Sequence, residues 1–494
     1  MKKTFLLLSI LIICVLFITS CNTNDATLIS HPQTDNHEIT SPSIESDSVI
    51  SPSTTTIAIS QTPNTPNNDN SNNNTTDEAN KPSSAPPSDH SQKPSSGNSQ
   101  KPPSGSSSKP SGGSTVNTGT GAYNLKAGET VDGGTYTSEA DDQSAIRAEG
   151  VNATLENVNI VKSAGDASSA DASSFYGLNS ALHAINSAEL TVKNCTITAT
   201  AKHSTGVFAY NKATIKIYNS VINVTGGGAG GIQVSGGGIL YAYDLTVNSA
   251  SKAAIRSDRG GGTMIVDGGT YTSTGTDGCP AIYSTADITV KNSTLTSTNS
   301  RGVIIEGKNS VTLENCVVNG CDQSTNAGTQ ANVMIYQSMS GDADIGEGSF
   351  KMTGGKLVTN SGGMFFITNT SCTIDLQNVE LCYNSNRTLI TLSGTQRWGT
   401  SGKNGGTCIF NATDQKLTGD VEVDSISSIK LNLTSSEFVG AINNANSNGE
   451  SALTLDSQST WRLTGDSYLS SFNGNYDSVI TNGYRLFVNG IQVK

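Results

Sequence analysis

Leu190-Thr191-Val192-Lys193-Asn194 runs straight into Cys195-Thr196-Ile197-Thr198, and the pattern returns 25 residues later as Ile215-Lys216-Ile217-Tyr218-Asn219 and Ser220-Val221-Ile222-Asn223. Two short alternating segments flank a single Asn. Outward from this stretch the same mark recurs at Gly133, Asn157, Asn194, Asn219, Asp244, Gly268, Asn292, Asn315, Gly354 and Asn378, at intervals of 24, 37, 25, 25, 24, 24, 23, 39 and 24 residues. A fixed period of this length, with two longer intervals, is the signature of a solenoid. Asn, Asp and Gly are the residues that enter the left-handed region at least cost, so each mark is expected to turn one strand sharply into the next. In the strand after the mark, alternation places the first and third residues inward: Cys195 and Ile197, Ser220 and Ile222, Cys316 and Val318.

A third strand precedes each mark by about a dozen residues, as in Ala181-Leu182-His183-Ala184-Ile185, Gly206-Val207-Phe208-Ala209-Tyr210 and Gly231-Ile232-Gln233-Val234-Ser235. Three strands per coil, stacked in parallel, predict an all-β fold: a single-stranded right-handed parallel β-helix over residues 121–494, of about 24 residues per coil. About thirteen coils at roughly 4.8 Å each make a rod on the order of 60 Å long. The continuation at Asn411, Asn432 and Ser457 is less regular. Capping coils are expected from about residue 440, with Trp461 and Tyr484 as cap residues that hide strand edges. With its Asn-rich bend, the chain resembles the pectate-lyase-like β-helix superfamily over about residues 121–440, and its end resembles adhesin passengers of the autotransporter type. That superfamily contains lyases, hydrolases and adhesins, so the resemblance implies a fold and leaves the function open.

Composition narrows the remaining classes. Charged residues make up 14% of the 494-residue chain and the net charge is −12, which excludes a coiled coil and gives no basic surface for nucleic acid. Lys2 and Lys3 precede an apolar stretch from Phe5 to Ile18, too short for a membrane span and suited to an export signal. Ile18-Thr19-Ser20-Cys21 resembles a bacterial lipobox, which implies a signal over 1–21 and a lipid on Cys21 that anchors a monomeric chain at the cell surface. Residues 22–120 are rich in Ser, Thr, Pro and Asn and are expected to form a disordered tether.

Candidate chemistry lies on the strand before the bend, whose outward residues form two columns. One column reads Arg147, His183, Phe208, Gln233, Arg256, Tyr283, Ile304, Met334; the other reads Glu149, Ile185, Tyr210, Ser235, Asp258, Thr285, Glu306, Tyr336. Exposed aromatics among Arg and carboxylates suit a groove for polysaccharide or a cell-surface glycan. Loops at about 163–178 and 320–331 adjoin it. Adhesion or carbohydrate binding is the function expected, with a lyase, a hydrolase or a purely structural surface protein as alternatives. A lyase would use Arg256 with Asp258, near Arg259 and Arg301. A hydrolase would use Asp258 and Glu306, about 9.6 Å apart by strand spacing. No cofactor is required, although Asp342, Asp344 and Glu347 have the alternating carboxylates of a Ca2+ loop. Cys195 and Cys316 read as core, Cys321, Cys372, Cys382 and Cys408 lie nearer loops, and Cys316–Cys321 and Cys382–Cys408 are both open as disulfides.

Overall fold

The computed structural model describes residues 116–494 apart from 277, 326, 327, 385 and 386. The expected signal, the expected lipid site Cys21 and nearly all of the expected tether lie outside the described residues. Within them the chain is almost entirely short strands stacked in parallel. One sheet of twelve strands takes its members at intervals along the chain, beginning Thr120–Asn124, Gln143–Glu149, Leu182–Ile185, Val207–Tyr210 and Ile232–Ser235, and ending at Asp420–Val423. A second sheet of 22 strands carries two runs, one on each side of the marked residues. The architecture is a parallel-sheet, solenoid-type fold.

The marks explain the corner between the two runs. Asn157, Asn194, Asn219, Asp244, Asn292, Asn315 and Asn378 all have φ between 45° and 56°, and Gly133, Gly268 and Gly354 have φ of 73°, 77° and 63°. Each therefore occupies the left-handed region in which the chain reverses its inward and outward sides within one residue. Side chains tie one corner to the previous one: the Asn157 amide donates to Asp132 at 2.8 Å, and Asn292 donates to Asp267 at 2.7 Å. Gly268 is required for space as well, since a Cβ there would lie 2.2 Å from Asp244 Oδ1.

Behind the corner, inward residues stack on their counterparts. Leu190, Ile215, Leu240, Met264, Ile288 and Val311 are successive register partners, and all are buried. Each such side chain contributes roughly 1.5–3 kcal/mol of burial. Cys195 and Cys316 belong to this interior, as do Ser220 and Ser293. One inward position breaks the apolar rule. Lys162, at the end of strand Asn159–Lys162, is fully buried where its partner in the next strand is Ala199, and its ammonium donates to the Ala140 carbonyl at 2.5 Å and to Ser138 at 3.3 Å.

Two expectations change toward the C-terminus. Asn411 and Asn432 are not corners: they sit mid-strand in Gly406–Thr413 and Ser428–Thr434, in register with Asp375, and pass amide hydrogen bonds along an outer ladder at 2.8 Å each. The left-handed corners fall three residues later, at Asp414 and Ser435, both with φ of 49°. An Asn serves a surface ladder as well as a corner, so composition alone misplaced them. Trp461 is core, stacked on Phe438 with its indole N–H on the Gly440 carbonyl at 2.9 Å, whereas Tyr484 is exposed at the end of a turn. The last pairing in the chain, Leu486–Val488 with Ile491–Gln492, is the one antiparallel pair among the described residues.

Candidate functional site

The two columns of the twelve-stranded sheet exist as register ladders. Arg147, His183, Phe208, Gln233, Arg256, Tyr283, Ile304 and Met334 are successive Cα partners, and Glu149, Ile185, Tyr210 and Ser235 run beside them, as do Glu306 and Tyr336. What differs from expectation is exposure. His183, Phe208, Gln233, Ile185 and Ser235 are fully buried, and Arg147, Arg256, Asp258, Thr285, Ile304, Glu306, Met334 and Tyr336 are nearly so. Glu149 stays exposed and Tyr210 and Tyr283 half-buried, while chain inserted between repeats roofs the rest of this face.

The first roof is the helix α1 (Ala170–Tyr176). Ser169 caps it by accepting from the Ala172 N–H at 3.1 Å, and Gly177 ends it in the left-handed conformation, φ 76°. The helix lies on the column: Gln233 Nε2 donates to Ser174 O at 2.7 Å, Ser235 Oγ donates to Phe175 O at 2.5 Å, and the Tyr176 ring meets Tyr210 edge-on at 5.4 Å. Arg259 covers the Phe175 ring at 4.0 Å. Beneath it, burial and then the Arg147 charge hold the His183 imidazole down to about 3, so it is neutral.

The second roof is the stretch 337–346, closed over Glu306. The Glu306 carboxylate accepts from the hydroxyls of Tyr283, Tyr336 and Ser338, the Tyr336 bond being 3.0 Å long. Burial, Tyr336 and Glu306 hold the Tyr283 hydroxyl well above its ordinary value, and burial with Glu306 does the same to Tyr336. Trp398, from a third insertion at 393–405, packs on Tyr336 at 4.9 Å. Asp258 is held by Arg256 through bonds of 3.0 and 2.8 Å and accepts the Arg259 N–H at 3.0 Å, while Arg256 lies over the Tyr283 ring at 4.4 Å. Arg256, Asp258 and Glu306 thus share one seam, and each is buried and bonded internally. Arg301 is engaged elsewhere, in a buried ion pair of 2.8 Å with Asp322.

The Ca2+ loop is not assembled. Asp342 pairs with Arg259 at 2.5 Å, Asp344 with Lys308 at 3.0 Å, and Glu347 accepts from Thr373 at 2.5 Å. These carboxylates serve three different partners, and among the described residues no three His, Cys, Asp or Glu side chains converge on a metal position. The cysteine expectations change too. Cys316 and Cys321 stand at opposite ends of strand Val317–Gly320, roughly 16 Å apart at an extended rise. Cys382 is in register with Val358, not Cys408, and Cys372, Cys382 and Cys408 are strand residues.

The open surface lies on the 22-stranded sheet. The inserted segments fall in the connections that enter and leave the twelve-stranded sheet, and none falls at the left-handed corner. On the outer side of strands Thr214–Tyr218, Gly238–Ser249 and Gly262–Ser273, the residues Tyr218, Ile239, Tyr241, Tyr243 and Ile265 form one half-exposed cluster. Tyr218 and Tyr243 are register partners with rings stacked at 4.8 Å and 10°, and Tyr241 lies between Lys216 and Ile265 in the neighbouring column. Farther along the face is a shallow depression lined by Thr312, Glu314, Asn315, Lys351 and Thr353. In the sequence these three tyrosines precede the repeat marks at Asn219 and Asp244. The signal was present in their alternation, which turns all three outward. A scan against protein-family models and a search of curated proteins find no match for this chain.

Proposed function

We propose that the chain is a right-handed parallel β-helix displayed at a bacterial cell surface by a lipid on Cys21, and that it binds polysaccharide on the open face of its larger sheet. The observation that carries the reading is the Tyr218–Tyr241–Tyr243 cluster. It combines aromatic area, hydroxyl tips and the ammonium of Lys216 on a surface that no insertion covers. Aromatic rings supply apolar contact to sugar faces, and their hydroxyls and a nearby cation orient the polar rim. A broad and shallow face suits an extended polymer better than a small molecule, which needs an enclosing pocket. The bend and the lipobox resemblance support the superfamily and the anchor in the same reading.

A polysaccharide panel passed with the full chain over a sizing column tests it. The expected result is intact polymer eluting with protein, and affinity lowered roughly two- to tenfold by Tyr241→Ala or Tyr243→Ala. Shortened polymer would instead assign catalysis. No co-elution with any polymer would overturn the glycan reading.

A further inference from the structure

Cys372 and Cys408 face each other across neighbouring parallel strands, Thr370–Gln377 and Gly406–Thr413. Both are inward, 3% and 1% exposed, and both are free thiols. Neighbouring strands run about 4.8 Å apart, which lies inside the Cα separation of about 4.4–6.8 Å that a disulfide spans. Burial, with the neighbouring Cys372 thiol, holds the Cys408 thiol well above its ordinary value. Among the seven cysteines of the described residues, these two alone are register partners. Forming the bond brings the two Cβ atoms from about the strand spacing of 4.8 Å to within about 4.5 Å, a small local closure of the two strands.

We infer that Cys372 and Cys408 form a disulfide that staples two successive repeats together. The bond forms by exchange with a low-molecular-weight disulfide. One thiol loses its proton, and the thiolate attacks a sulfur of oxidised glutathione, releasing one glutathione thiolate. The second cysteine, also deprotonated, attacks the resulting mixed disulfide at the protein sulfur and releases the other. The two protein thiols are oxidised, one glutathione disulfide is reduced to two thiols, and the electrons balance. Burial suppresses the thiolate and excludes the oxidant, so the exchange belongs to the folding chain, before these strands pack. The closed loop spans the 36 residues from Cys372 to Cys408, and closing it removes freedom from the unfolded chain.

The test refolds the full chain from a reducing denaturant into a glutathione redox buffer. Free thiols are then alkylated in denaturant, and the protein is digested and read by mass spectrometry. The expected product is a peptide containing Cys372 joined to one containing Cys408. Reductant should lower the thermal midpoint of the oxidised chain by about 4 °C, and Cys372→Ser should abolish both the cross-linked peptide and the reductant effect. Alkyl groups on both cysteines, or either one joined to a different cysteine, would overturn the inference. The peptide map of the unaltered chain decides the matter even if the variant fails to fold.

Discussion

Lys162 is an ammonium placed where neighbouring repeats keep small or apolar residues. Burial lowers its affinity for a proton to about 8, and the nearby Asp141, Asp142 and Glu139 only partly oppose this. Between pH 8 and the ordinary lysine value the unfolded chain holds a proton that the folded chain has released. Stability should therefore rise as pH climbs through that window, and the cost should be fully present below it. Replacing Lys162 by Met should flatten that rise and stabilise the chain at pH 7 by about 3 kcal/mol, read from urea unfolding at several pH values. Glu306 is the opposite case, a carboxylate that three hydroxyls need. Glu306→Ala strands those donors, and should cost roughly 3 kcal/mol and expose 337–346 to limited proteolysis, while leaving polysaccharide binding at the tyrosine face unchanged.

At the scale of elements, the corners were legible and the roofs were not, for different physical reasons. A left-handed corner depends on one residue and its own backbone, so Asn194 or Gly268 announces it from sequence. The register columns were legible by the same route, because equal spacing puts His183 beside Phe208 and Gln233. Whether the segment at 163–178 stands away from that column or lies on it depends on Phe175, Tyr176, Gly177 and Arg259 meeting partners some 30 to 80 residues distant. No local pattern encodes that packing. Asn411 misled for a related reason, since its role is set by Asp375 in the strand beside it. Gly177 gives the test. A Cβ there would lie 2.5 Å from His183 Nε2 in a backbone conformation that disfavours side chains. Gly177→Ala should cost about 1–2 kcal/mol and lift α1, and the His183 proton affinity should climb from about 3 toward its ordinary range, measurable by NMR titration.

For the described residues taken together, two faces divide the labour. The twelve-stranded sheet spends its outer side on internal packing beneath α1, 337–346 and 393–405, and the 22-stranded sheet leaves its outer side exposed or half-exposed. A stack of identical parallel strands has one inherent hazard: its last strand offers the next chain the same unpaired N–H and C=O groups that it offered its own neighbour. The reversal at Leu486–Val488 and Ile491–Gln492 answers that hazard at the edge it occupies. An incoming copy that docks on this short sheet meets a strand of the wrong polarity for parallel addition. The turn at Asn489-Gly490 thus closes the edge of that short sheet to parallel addition.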